Sequence, residues 1–74
     1  MMETLKFKTT LNTPSTLTKI APVMTQIKGL HRWTVDFESI YNLLIVEGVG
    51  LEAREIINSL QFAGYQIVRL YEEG

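Results

Sequence analysis

Residues 42–50 read Asn-Leu-Leu-Ile-Val-Glu-Gly-Val-Gly, and this stretch decides the predicted fold. The apolar run in its middle would present apolar side chains on both faces of a strand, which is typical of a central strand with neighbours on each side. Gly48 and Gly50 then bracket a turn. After the turn, apolar residues recur at helical spacing over residues 53–63. The stretch therefore predicts a buried strand that leads directly into a helix.

Three further strands are predicted on either side of this unit. Residues 5–9 alternate between apolar and polar side chains, which predicts a strand. Residues 30–36 are predicted as a strand from Leu30, Trp33 and Val35, and residues 65–71 form the last predicted strand. Together with a first helix, the order is β-α-β-β-α-β in a single domain over residues 1–74. This order predicts an α+β fold, the ferredoxin-like βαββαβ sandwich, with a four-stranded antiparallel sheet and two helices on one face.

The first helix is predicted from an apolar stripe over residues 17–27. Thr13 is the expected N-cap and Pro14 the first helical residue. Pro22 falls inside the stripe, where it removes the hydrogen bond to the Thr18 carbonyl. The sequence therefore favours one helix bent at Thr18, with a helix that starts near Thr18 as the alternative. Glycines close both helices as left-handed caps, at positions 29 and 64.

The sheet face away from the helices is expected to be open to water or to a partner. If Leu43 and Ile45 point inward, this face carries Leu44 and Val46, which suggests self-association or protein binding. The basic residues assigned to the same face are more simply read as solvated charges. They are Lys6, Lys8, Arg32 and Arg69.

Composition excludes several classes of protein. At 74 residues and 8.5 kDa the chain is too short for a two-domain enzyme, and its 46% hydrophobic and 20% charged residues are typical of a globular domain. The net charge of −1 makes nucleic acid an unexpected partner. Neither a membrane-spanning run nor the apolar stretch of a secretory signal is present, so no membrane partner and a cytoplasmic location are expected. The absence of cysteine removes disulfides, thiolate catalysis and iron–sulfur clusters.

Four segments resemble one known family. Residues 11–16 read Leu-Asn-Thr-Pro-Ser-Thr, and residues 29–36 read Gly-Leu-His-Arg-Trp-Thr-Val-Asp. Residues 44–48 read Leu-Ile-Val-Glu-Gly, and residues 56–65 end in Gly-Tyr. Over nearly its whole length the chain resembles the heavy-metal-associated domains of copper chaperones and metal-transporting ATPases, especially small bacterial members. The resemblance implies the same ferredoxin-like fold.

The departure from the family falls on its metal-binding motif. The family places Cys-x-x-Cys between the first strand and the first helix, where this chain has Thr13 and Thr16. Copper(I) prefers thiolate and thioether ligands, and a neutral hydroxyl is a poor substitute. No metal and no cofactor are therefore expected. The candidate binding residues are the corresponding loop and a tyrosine that the family places near it: Thr13, Pro14, Ser15, Thr16 and Tyr65.

Two interpretations of these residues stay open. The loop either contacts a partner protein or a hard ligand, or simply starts a helix in a vestigial site. Tyr65 either donates a hydrogen bond to Thr13 or Ser15, or packs its ring at the domain edge.

The residues predict a non-enzymatic domain. The single histidine has no positioned nucleophile, and no glycine-rich phosphate loop follows the first strand. The leading interpretation is a degenerate copper-chaperone-like domain that acts as a protein-interaction or regulatory module. The alternative is metal binding or transport through non-cysteine ligands such as His31, Met1 or Met2.

Overall fold

The computed structural model describes residues 1–71 and shows two helices packed on a four-stranded antiparallel sheet. The strand order is β2-β3-β1-β4. This arrangement confirms the predicted ferredoxin-like fold class. The elements are β1 (Glu3–Thr9), α1 (Ser15–Met24), β2 (Leu30–Asp36), β3 (Leu43–Gly48), α2 (Ala53–Phe62) and β4 (Ile67–Leu70).

The core lies between the helices and one sheet face. Its members are almost completely shielded from water, and because the chain has no cysteine and hence no disulfide, this apolar packing is the main stabilising contribution to the fold. The buried apolar side chains are Phe7, Leu11, Ile20, Met24, Ile27, Val35, Leu44, Val46, Ile56, Leu60 and Ile67. Trp33 is half-buried against them, on the inward face of β2 opposite Val46.

The predicted facing of β3 was wrong. Leu44 and Val46 are fully buried, whereas Leu43 and Ile45 are only half-buried. The register explains this, because Leu44 lies opposite Phe7 and shares its inward face. A strand that is apolar at consecutive positions contains no alternation from which to read its facing. The open sheet face therefore carries Leu43 and Ile45 in place of the residues expected there.

The predicted position of Arg69 was also wrong. Arg69 lies opposite Phe7 on β1, so it shares the helix-covered face and does not join Lys6 and Lys8. Its neighbours Val68 and Leu70 point to the open side instead. The expected basic set on the open face is reduced to three residues: Lys6, Lys8 and Arg32.

Helix α1 is shorter than its apolar stripe predicts. It ends at Met24, and the chain continues in turns in which the Ile27 amide donates to the Met24 carbonyl at 3.1 Å. Ile27 is buried although it lies outside the helix. The helix begins at Ser15, before Thr18, and continues through Pro22, which favours the single helix over a start near Thr18. The bend at Thr18 stays a prediction.

The prediction that Thr13 is the N-cap of α1 was wrong. The N-cap position belongs to Pro14, whose backbone angles are already helical, and no side chain caps the first turn. The Thr13 hydroxyl lies 2.9 Å from the Ser15 hydroxyl instead. The strand predicted over residues 65–71 is also shorter, since the Tyr65 amide is still bonded to the Leu60 carbonyl at 3.0 Å.

Gly29 has the predicted left-handed conformation, with φ at +83°, but it lies beyond the end of α1 and its role is different. The Gly29 carbonyl accepts a hydrogen bond from the Val49 amide at 2.9 Å. A Cβ on Gly29 would lie 2.0 Å from the Val49 oxygen, and one on Gly48 would lie 2.1 Å from the Gly29 oxygen. The two glycines allow two backbone segments to touch at the start of β2 and the end of β3.

Gly64 closes α2 as predicted, with φ at +101° and open space around it. Neither α1 nor α2, the helices of residues 1–71, is long and apolar enough to cross a membrane.

Candidate functional site

The Leu11 side chain anchors the loop between β1 and α1 to the hydrophobic core. This side chain is 0% exposed and belongs to the core. Just before it, the Thr9 hydroxyl donates to the Asn42 carbonyl at 2.6 Å and accepts from the Leu11 amide at 3.1 Å. One hydroxyl thus joins the end of β1, the start of the loop and the connection between β2 and β3, so the base of the loop is fixed.

The loop is also tied to the connection between α2 and β4. The Thr10 amide donates to the Gln66 carbonyl at 3.1 Å, and the Gln66 amide donates to the Thr10 hydroxyl at 3.0 Å. This reciprocal pair bridges positions far apart in the sequence. It places the segment that contains Tyr65 beside the start of the loop.

Three hydroxyl groups define the chemistry of the candidate loop. Thr16 is 7% exposed, and its hydroxyl donates to the Thr13 carbonyl at 2.5 Å, which also accepts from the Thr16 amide at 3.0 Å. Thr13 and Ser15 are exposed, and their hydroxyls lie 2.9 Å from each other. Each hydroxyl is therefore engaged within the loop itself. Thr13 and Ser15 retain hydrogen-bonding capacity toward solvent, because a hydroxyl can both donate and accept.

Tyr65 does not contact these hydroxyls. Its side chain is half-buried and packs against the core. Among residues 1–71, no hydrogen bond joins Tyr65 to Thr13 or Ser15. The arrangement matches ring packing at the domain edge, the second of the two predicted alternatives.

The donor set of the loop does not fit copper(I). Neutral hydroxyls are hard, weak ligands for a soft cation, and here they are already bonded to one another or to backbone. Within the described residues, no three His, Asp or Glu side chains are grouped so that they could hold a metal ion. His31 is exposed on β2, and Met24 is buried in the core. Met1 and Met2 are exposed at the start of the chain.

Comparison with solved structures shows close similarity of fold. The N-terminal domain of ZntA in its apo form superposes with a TM-score of 0.81 at 18% identity, covering 96% of each chain. The copper(I)-loaded first domain of the human copper chaperone for SOD1 gives 0.74 at 20%, covering 93% of each chain. A copper-binding domain of the P-type ATPase HMA7 gives 0.77 at 17% over the full length of both.

These neighbours are heavy-metal-associated domains of copper chaperones and P-type ATPases, so the predicted resemblance is confirmed for the fold. At these identities the likeness establishes architecture and leaves the function to be argued from the site. No protein-family model and no curated protein sequence matches the chain.

Sequence reasoning identified the loop but missed what holds it. Thr9, Thr10, Asn42 and Gln66 fix its base through hydrogen bonds, and none of them was a candidate. The available signal was weak. Threonines at the end of a strand indicate side-chain bonding to nearby backbone, but the partners lie 33 and 56 residues away and depend on the tertiary fold.

Proposed function

We propose that this chain is a non-enzymatic domain with the copper-chaperone fold that has no thiolate copper(I) site and acts through contact with a protein partner, as an interaction or regulatory module. Support for the missing site comes from the two loop positions where the family resemblance implies cysteine. Both are threonine, and the Thr16 hydroxyl is turned back onto the Thr13 carbonyl. A hydroxyl used in this way is part of the helix start and is not directed toward a ligand.

A non-enzymatic role is supported by the surroundings of the same hydroxyls. A serine or threonine nucleophile needs an adjacent general base. Ser15 has only the Thr13 hydroxyl as its side-chain partner among the described residues, and a second hydroxyl is not a base at neutral pH. His31, the single histidine, is on the exposed part of β2. The loop therefore has no proton acceptor with which to activate a nucleophile.

A binding role is supported by the shape of the loop. Residues 12–15 are exposed together, while Leu11 and Thr16 on either side are buried. These four exposed residues, held between two buried ones, form a small, preorganised ridge. Preorganisation lowers the entropic cost of association. The ridge therefore suits hydrogen bonding to the backbone or polar side chains of a protein.

The missing copper site is tested by titrating the purified protein with copper(I) against a chromophoric chelator. We expect the chelator to retain the metal, because the loop offers no thiolate. One-to-one binding tighter than micromolar would contradict the proposal.

The alternative function is metal binding through non-cysteine ligands such as His31, Met1 or Met2. Zinc(II) and copper(II) titrations of the wild type and of H31A test it, and unchanged affinity in H31A would count against that alternative.

Self-association through the open sheet face is a separate prediction, in which Leu43 and Ile45 would supply the apolar contacts. Sedimentation at high micromolar concentration examines it directly. A monomer throughout would remove this face as a contact between copies and leave the loop ridge as the proposed contact surface.

A further inference from the structure

A cleft lies on the helix-covered side, between α2 and β4, away from the β1–α1 loop. Its volume is about 300 Å³, the lower end of the range for small-molecule sites. Its lining combines two apolar side chains, two cations, an amide and an aromatic ring. These residues are Ala53, Arg54, Ile57, Asn58, Arg69 and Tyr71.

The two cations come together because of the strand register. Arg69 shares the inward face of the sheet with Phe7, so it points toward α2, and Arg54 projects into the same space from the first turn of that helix. Neither guanidinium is ion-paired to a carboxylate of residues 1–71; the described pair Arg32–Glu47, at 2.9 Å, lies on the opposite sheet face. The cleft therefore concentrates positive charge in a chain whose net charge is −1.

The guanidinium of Arg69 is held in place by an aromatic ring. Its Cζ atom lies 4.5 Å from the centroid of the Tyr71 ring. A cation in this position is attracted to the ring face, and the stacking leaves the in-plane N–H groups of arginine free to donate. Part of the entropic cost of fixing the side chain is therefore met before any ligand arrives. Arg69 is also only half-exposed, so its charge is less screened than that of a fully solvated arginine.

We propose that this cleft binds a small organic phosphate, a phosphate monoester. Two guanidinium forks match the several oxygens and double charge of a monoester, because arginine bonds phosphate in a bidentate manner. Asn58 supplies an amide donor, and Ala53 and Ile57 form an apolar wall for the organic part. The charge is local to the cleft and not general to the chain, which favours a small anion over a polyanion such as nucleic acid.

The proposal is tested by NMR titration of the full-length ¹⁵N-labelled protein at constant ionic strength. Inorganic phosphate probes the anion site alone, phenyl phosphate adds an organic part, and succinate probes a dicarboxylate. We expect saturable shifts confined to residues 53–58 and 67–71, with phenyl phosphate binding more tightly than phosphate or succinate. Tighter binding of succinate, or non-saturating shifts spread over all basic residues, would overturn the proposal.

Matched variants distinguish a specific anion site in the cleft from non-specific attraction of anions to any arginine. R54Q and R69Q should each weaken phenyl phosphate binding roughly tenfold or more, since each removes charge-assisted hydrogen bonds. R32Q removes the same charge from the opposite sheet face and should leave the affinity unchanged. Arg54 is exposed, so R54Q tests the site even if R69Q disturbs folding. An equal loss of affinity in R32Q would overturn the proposal.

The sequence places two carboxylates, Glu72 and Glu73, directly after Tyr71. An E72Q/E73Q variant tests whether these two negative charges affect the affinity of the cleft. Its affinity for phenyl phosphate should stay the same or rise. A loss of binding would show that the anion is not recognised by the cationic cleft and would contradict the proposal.

Discussion

The two ends of the sheet are held by different means. At one end, side-chain hydroxyls of Thr9 and Thr10 tie the candidate loop to neighbouring connections. At the other end, Gly29 and Gly48 bring two backbones into direct contact with no room for a side chain. Bonds from side chains can be replaced one at a time, whereas a backbone contact tolerates no added atom. The loop end can therefore change its side chains without losing the fold, whereas the glycine end has to keep its glycines to preserve it.

The largest effect is expected at the glycine end. In G29A the new Cβ would lie 2.0 Å from the Val49 oxygen, at a backbone φ of +83° that alanine rarely adopts. We expect a loss of about 3 kcal/mol or more in the free energy of unfolding, measured by urea denaturation.

The matched control lies at the loop end, where Gly64 also has positive φ but open space around it. G64A should cost only about 1 kcal/mol, since only the backbone strain remains. Equal losses of stability in G29A and G64A would contradict the proposed difference between the two ends, because they would show that the close approach at Gly29 adds nothing to the cost of a side chain there.

The next effect concerns the anchor of the loop. Leu11 is completely buried, so L11A removes core packing beneath an otherwise exposed segment. Truncation of a buried leucine to alanine costs roughly 2–5 kcal/mol. Thermal and urea unfolding should show a loss in this range. A loss below about 1 kcal/mol would mean that Leu11 does not fix the loop to the core, and it would contradict a preorganised ridge.

A smaller effect is expected at Thr16. T16V keeps the shape of the side chain and removes its hydrogen bond to the Thr13 carbonyl. That carbonyl still accepts from the Thr16 amide, so the loss should be about 1 kcal/mol. A loss above about 3 kcal/mol would show that the hydroxyl is a major structural element and not a replaceable one.

The smallest effect is expected at Thr13. T13A removes an exposed hydroxyl whose side-chain partner is the exposed Ser15, and it should change the free energy of unfolding by less than about 0.5 kcal/mol. If the ridge binds a partner, T13A weakens that binding without lowering stability. A large stability loss in T13A would instead assign the residue to the scaffold.

The fold could be predicted because its signals are local. Alternation in residues 5–9, helical spacing in residues 53–63 and glycine at position 64 each follow from short-range periodicity or backbone conformation. The facing of β3 could not be read, since residues 43–46 are apolar throughout and only pairing with Phe7 selects the buried pair.

The sites were harder to predict, for a related reason. The β1–α1 loop was found by resemblance, but its anchoring depends on bonds from Thr9 and Thr10 to distant residues. The arginine cleft was missed because β4 reads Ile-Val-Arg-Leu, which is too short and too apolar to show a clear alternation of apolar and polar residues. Arg69 was therefore assigned to the wrong face of the sheet. Both sites therefore depend on contacts between segments that are distant in the sequence, which no single segment encodes.

We propose that the scaffold is intact while its loop has no copper(I) site, and one copper(I) competition experiment tests both statements. Wild type is compared with T13C/T16C, which places thiols at the spacing that the resemblance implies, and with T13C/T18C, which places them at an unsuitable spacing. We predict that only T13C/T16C takes one copper(I) per chain from the chelator. One-to-one binding tighter than micromolar by wild type, or no gain in T13C/T16C over the other two, would contradict the account.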